Sequence, residues 1–98
     1  MAESETTKCV HLMVQGLVQA VGFRYFTWQK ASEQHITGWV RNRMDGSVEI
    51  VAEGSETNID RFIKTIKKGS PFSHVQKVDV YLYDHPEHFT TFDIVSSV

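Results

Sequence analysis

Twice within 98 residues the hydrophobic period of this chain changes from two to about 3.6 and back, and few folds accept that order. From Lys8 to Gln15, apolar Val10, Leu12 and Val14 alternate with His11, Met13 and Gln15, which predicts a half-buried strand. Gly16 to Gly22 breaks the pattern. Phe23 to Gln34 then has room for about three helical turns, with Phe23, Phe26 and Ala31 roughly on one face. Ile36 to Arg41 returns to β-type residues. A short turn from Arg43 to Gly46 contains Asp-Gly, and Val48, Ile50 and Ala52 alternate with Glu49, Val51 and Glu53, which completes a hairpin. Ser55 is suited to cap a second helix, in which Ile59, Phe62, Ile63 and Ile66 fall at i, i+3, i+4 and i+7. Lys64, Lys67 and Lys68 suit its negative end, Gly69 stands where a left-handed residue is expected, and Pro71 prevents continuation. Val75, Val78, Val80 and Leu82 mark a fourth strand whose parity slips once. After a polar loop around Pro86, Phe89 to Val95 resembles a last strand.

The order βαββαβ, followed by that last strand and with each helix apolar on one side, predicts an α+β ferredoxin-like sandwich: an antiparallel sheet with two helices on one face. A hydrophobic content of 41% is enough for a core without staples, and the length suits one domain over residues 8–98. Met1 to Thr7, MAESETT, is expected to be a flexible tail, since it has neither the basic start nor the apolar run of a secretory signal. The net charge of -2 gives no global field for nucleic acid or an anionic membrane, so neither is expected as a partner. Cys9 is the single cysteine, so no internal disulfide forms, and no ligand-spaced Cys/His cluster suggests a metal. A reducing, cytoplasmic setting and a monomeric state are the default expectations. The fold itself names no activity, because the same plan hosts carriers, RNA readers, regulators and hydrolases.

Function has to come from a site. Gly16-Leu17-Val18-Gln19-Ala20-Val21-Gly22-Phe23-Arg24 leaves the first strand and enters the first helix. At a helix start several backbone N–H groups lack partners, so a tight loop that turns them inward makes a phosphate nest. The guanidinium of Arg24 can grip two phosphate oxygens at once. On spacing alone the stretch is equally an ordinary turn followed by a surface arginine. It is neither a Walker loop nor a GxGxxG fingerprint. A second stretch runs Gly38-Trp39-Val40-Arg41-Asn42-Arg43-Met44-Asp45-Gly46-Ser47-Val48, with Gly54 beyond it. Taken alone, Asn42 is a hairpin residue of a common kind, suited to local backbone hydrogen bonds.

The two stretches together resemble the signatures of the acylphosphatase family. The first is similar to Gly-x-Val-Gln-Gly-Val-Gly-Phe-Arg in eight of nine positions, counting the free one. The second resembles Gly-aromatic-Val-basic-Asn-x-x-x-Gly-x-Val-x-x-x-x-x-Gly throughout. The likeness spans about Lys8 to Val95. It implies a hydrolase that uses no metal or other cofactor and cleaves the carboxyl-phosphate bond of small-molecule acyl phosphates, releasing a carboxylate and inorganic phosphate. By the same resemblance Arg24 is the phosphate-binding arginine, Gln19, Ala20, Val21, Gly22, Phe23 and Arg24 form the phosphate loop, and Asn42 orients the attacking water. The chain departs from the pattern at Ala20, where the family has glycine. If the backbone there needs positive φ, alanine costs about 1 to 2 kcal/mol, and the loop could re-form, strain or flip. A flip that turned one amide away would leave a slow enzyme or a noncatalytic phosphate-binding module.

Other residues have plainer readings. His11, His35, His74, His85 and His88 lack acidic or thiol partners at ligand spacing, and Pro86 interrupts the last two. Cys9 has no activating neighbour. Arg61 and the lysines of the second helix read as a solvated basic end. Tyr81 and Tyr83 share one side of a strand, as in sheets that stack RNA bases, but Asp79 and Asp84 beside them argue against that use. Trp39 either covers the outer face of the sheet or lines the site.

Overall fold

A computed structural model of the chain, which describes residues 6–83 and 87–98, turns this pattern into five strands and two helices. In chain order they are β1 (Thr7–Leu17), α1 (Phe23–Glu33), β2 (Thr37–Asn42), β3 (Val48–Ser55), α2 (Glu56–Lys68), β4 (His74–Leu82) and β5 (Phe92–Ile94). They form one sheet in the order β4-β1-β3-β2-β5. Thr7, expected in the tail, is the first residue of β1 and pairs with Ser55, while the carbonyl of Thr6 accepts from the N–H of Glu56 at 3.0 Å. The rest of the expected tail, like Asp84, His85 and Pro86, lies outside the described residues. Among those described, no helix is long and apolar enough to cross a membrane.

The apolar residues of β1, β2 and β3 that share one parity, with Val10, Leu12, Val14, Val40, Val48, Ile50 and Ala52 fully buried, face both helices. α2 covers them with Ile59, Phe62 and Ile66, and the Phe62 ring meets Phe92 of β5 edge-on at 6.3 Å. Ser55 caps this helix as expected, its hydroxyl accepting from the N–H of Asn58 at 3.2 Å. Gly69 has the expected positive φ of 81°, but its ψ of 178° is extended rather than left-handed helical. α1 is weakly amphipathic, because its buried positions are Phe23, Thr27 and Ala31, while Phe26 is only partly covered.

One feature of the sheet departs from the antiparallel plan, and it has a geometric cause. β4, β1, β3 and β2 are antiparallel in sequence across the sheet, but β5 joins β2 in parallel. β4 and β2 run in opposite directions. A chain that leaves β4 and turns back at that same end must run along β2. The last strand is also shorter than expected, since the N–H of Phe89 is taken by the Glu53 carboxylate at 3.2 Å before strand pairing begins. The parity slip in β4 is a bulge: Gln15 pairs with Lys77 and Gly16 with Val75, which leaves Gln76 extra. A Cβ on Gly16 would stand 2.1 Å from the carbonyl oxygen of His74, so only glycine lets the strands close here, just before the loop.

β3 is buried on both faces over Val48 to Glu53, although Glu49 and Glu53 are charged. On the face away from the helices, Glu49 is 7% exposed and is surrounded by donors. Its carboxylate receives Arg41 Nε at 2.8 Å and Arg43 Nη1 at 3.2 Å, and lies 2.6 Å from His11 Nε2. Trp39 covers this outer face, with the Arg41 guanidinium 4.7 Å above its ring. Burial by itself would raise the Glu49 pKa, but hydrogen bonds from His11, Arg41 and Arg43 outweigh it and hold the group below its ordinary value of 4.5. The carboxylate therefore adds stability that is complete above pH 4.5 and is lost as pH falls through its lower folded-state pKa. In thermal melts the gap between the unaltered chain and Glu49→Gln should be widest at neutral pH and shrink on acidification below about 4.5. A gap independent of pH would contradict this.

Candidate active site

The loop between β1 and α1 is built so that its amides stay free. Val18 is buried and anchors its start. Ala20 has φ 60°, and Gly22, the residue before the helix, has φ 77° and ψ 17°. A Cβ on Gly22 would meet nothing within 4 Å, so it is the left-handed backbone that calls for glycine there. α1 starts with no side-chain cap and no acidic residue in its first turn. Its first backbone bond runs from the N–H of Phe26 to the carbonyl of Gly22 at 2.9 Å. Among the described residues no acceptor takes the N–H groups of residues 20–25. The positive end of the helix dipole is thus left open to an anion.

Those residues border a cavity of about 210 Å³, lined on one side by Val18, Ala20, Gly22 and the opening residues of α1, including Arg24, and on the other by Asn42 and Ile94. That volume suits a small anionic group better than a large ligand. The Arg24 side chain makes no ion pair or hydrogen bond with the described residues. Asn42 Oδ1 is buried without a partner. A buried amide oxygen with no partner costs about 1 to 3 kcal/mol unless something fills it, which makes it a natural acceptor for a water or substrate. Asn42 ends β2 opposite Val48, on the helix side of the sheet. The N–H of Val98 donates to its carbonyl at 3.1 Å.

Of the residues singled out from sequence, Ala20, Gly22, Phe23, Arg24 and Asn42 line this one cavity. Val21 does not, and packs against the core. Gln19 points to the hairpin, where its Nε2 donates to the carbonyls of Arg43 at 2.7 Å and Ser47 at 2.9 Å. It ties the loop to the turn that follows Asn42. That turn is closed by Asp45, whose carboxylate takes the N–H and hydroxyl of Ser47 at 3.0 and 2.6 Å. Sequence gave no sign of the wall formed by Ile94 and the exposed Tyr25, whose ring stacks on Trp28 at 5.6 Å. Ala20 has kept the left-handed conformation that the sequence left undecided, at a cost of about 1 to 2 kcal/mol. The loop is therefore strained at Ala20.

Cys9 is buried in the sheet, and its thiol is pushed up to about 11 by burial and then by Glu53 and Glu87, far from any nucleophilic state at neutral pH. His88 is exposed, 3.7 Å from Glu53. Tyr81 stands beside His11 on the outer face.

The acylphosphatase family profile matches residues 10–94. An acylphosphatase of Bacillus licheniformis is 51% identical over 83 residues, which are 85% of this chain and 92% of that protein. The crystal structure of acylphosphatase from Bacillus subtilis superposes with a TM-score of 0.87 at 42% identity, covering 92% of this chain and 99% of the other. The acylphosphatase of Coxiella burnetii gives 0.86 at 34% identity over 91% of this chain and 93% of its own. With a profile match over most of its length and relatives of this identity and coverage, the chain belongs to the acylphosphatase family.

Proposed function

We infer that this protein is a hydrolase that cleaves acyl phosphates into a carboxylate and inorganic phosphate, with Arg24 and the loop amides holding the phosphoryl group and Asn42 orienting the water. The observation that carries this reading is that Arg24 and Asn42, singled out by two separate stretches of sequence, face one cavity together with the free helix start. An acyl phosphate is a mixed anhydride with a good leaving group, so positioning and charge stabilisation suffice and a metal is not required.

In the reaction, the loop amides and the Arg24 guanidinium take the non-bridging phosphoryl oxygens, where charge spreads as the bond to the carboxylate loosens. Asn42 Oδ1 accepts a hydrogen bond from water and aims it in line. The water oxygen bonds to phosphorus, the phosphorus-oxygen bond to the acyl group breaks, and its electron pair leaves with the carboxylate. An amide is a poor base, so the proton passes to a phosphate oxygen or to solvent. Gln19 keeps loop and hairpin in register while this happens. The small substrate and product are the expected partners. A monomer in a reducing cytoplasm suits the buried, unpaired Cys9.

Steady-state hydrolysis of an aryl acyl phosphate in chelator-treated buffer tests the reaction and the roles together. Arg24→Ala should lower turnover by at least about 1000-fold and weaken inhibition by inorganic phosphate. Asn42→Ala should lower turnover by about 100-fold with phosphate inhibition unchanged. Full turnover in either variant, or activity abolished by the chelator alone, would overturn the assignment. Because the left-handed loop already forms with alanine, Ala20→Gly should raise the melting temperature slightly and leave kcat within about threefold. A rise in kcat of about 100-fold would instead mean that alanine turns a loop amide away from the phosphate.

A further inference from the structure

Asn42 carries its proposed role with no described side chain to hold its amide oxygen. Its aim therefore depends on where the backbone on either side of it is held. Strand alternation sends its neighbours Arg41 and Arg43 to the opposite face of the sheet, and there both reach the same carboxylate oxygen, Glu49 Oε1, at 2.8 and 3.2 Å. The other oxygen, Oε2, lies 2.6 Å from His11 Nε2 of β1, so the carboxylate is itself held by a third strand. Arg41 is also Glu49's direct cross-strand partner, whereas Arg43 already belongs to the turn. One buried carboxylate thus spans the point where β2 ends.

We propose that Glu49 is a positioning residue for the hydrolysis, clamping Arg41 and Arg43 from the far face of the sheet so that Asn42 between them is held at the angle needed to aim water at phosphorus. Glu49 is not among the residues lining the cavity and touches no reacting atom. From the loop, Gln19 holds the backbone carbonyl of Arg43. The end of β2 is therefore held through its side chains by Glu49 and through its backbone by Gln19, and releasing the Glu49 hold lets it twist about its axis. A twist of that kind shifts the Asn42 side chain directly, whereas Arg24 is carried on α1 and is linked to this segment only through the Gln19 contact of the loop before it. Small displacements of a group that orients a nucleophile carry large rate penalties.

The inference rests on the reading of Asn42 as the water-orienting group, and the test separates the two. Glu49→Gln keeps the shape but removes the charge that both arginines share. Its kcat is expected to fall about 10-fold or more, with the inhibition constant of inorganic phosphate within about twofold of the unaltered chain. Arg43→Met, at the more exposed of the two arginines, removes one hold and should show the same split to a lesser degree; it carries the test alone if Glu49→Gln fails to fold. In an Asn42→Ala background, Glu49→Gln should cause no further loss, because the group it positions is gone. An equal loss in both backgrounds, a parallel loss of phosphate affinity, or unchanged kcat in the variants would overturn the proposal. If Asn42→Ala itself keeps full turnover, the water-orienting role fails and this inference with it. If Asn42→Ala is slow while Glu49→Gln and Arg43→Met are not, the role of Glu49 alone fails.

Discussion

A helix that begins without a cap leaves several backbone N–H groups unsatisfied, and in this protein the fold is arranged around that unmet demand. α1 has no side-chain cap and no carboxylate in its first turn, and it is entered through left-handed residues at Ala20 and Gly22. Just before that loop β4 bulges at Gln76 beside Gly16 of β1, where only a glycine fits against His74. What faces the loop is decided by the sheet. The order β1-β3-β2 brings the end of β2, and with it Asn42, to the cavity bordered by Arg24. The chemistry proposed for the site needs little more than this juxtaposition, because the substrate brings its own leaving group.

The sheet divides the molecule into two kinds of environment. Its helix side is apolar and closely packed, with Phe62, Leu12 and Ile50 fully buried. Its other side is an ionic layer in which Glu49 joins β1, β2 and the hairpin turn through His11, Arg41 and Arg43. A buried carboxylate is tolerated there because several donors offset its desolvation. Strand alternation links the two layers, since whatever holds Arg41 and Arg43 on one face also fixes Asn42 on the other. Stability on the outer face and geometry in the cavity are therefore coupled.

Local chemistry was readable from sequence, and contacts between distant segments were not. The Ser55 cap, the apolar stripe of α2 and the Asp45 turn each depend on residues within a few positions, so their patterns were sufficient. The parity slip of β4 announced the bulge at Gln76. The direction of β5 was hidden because it follows from which end of the sheet the chain turns back at. The burial of Glu49 was hidden because its donors lie in β1 and across the hairpin. Gln19 sat within the loop signature, but its bonds reach a turn 24 residues away. Ala20 could not be decided from sequence, since alanine takes left-handed φ only where its surroundings impose it.

In the proposed reaction water attacks phosphorus rather than the acyl carbon, since Arg24, the loop and Asn42 border one cavity of a size that suits the phosphoryl group. Hydrolysis of an acyl phosphate in water enriched in oxygen-18, with both products analysed by mass spectrometry after a single turnover, tests it most directly. Attack at phosphorus puts the label in inorganic phosphate and leaves the carboxylate unlabelled. Label in the carboxylate would place the attack at carbon and contradict the roles proposed for Arg24 and Asn42.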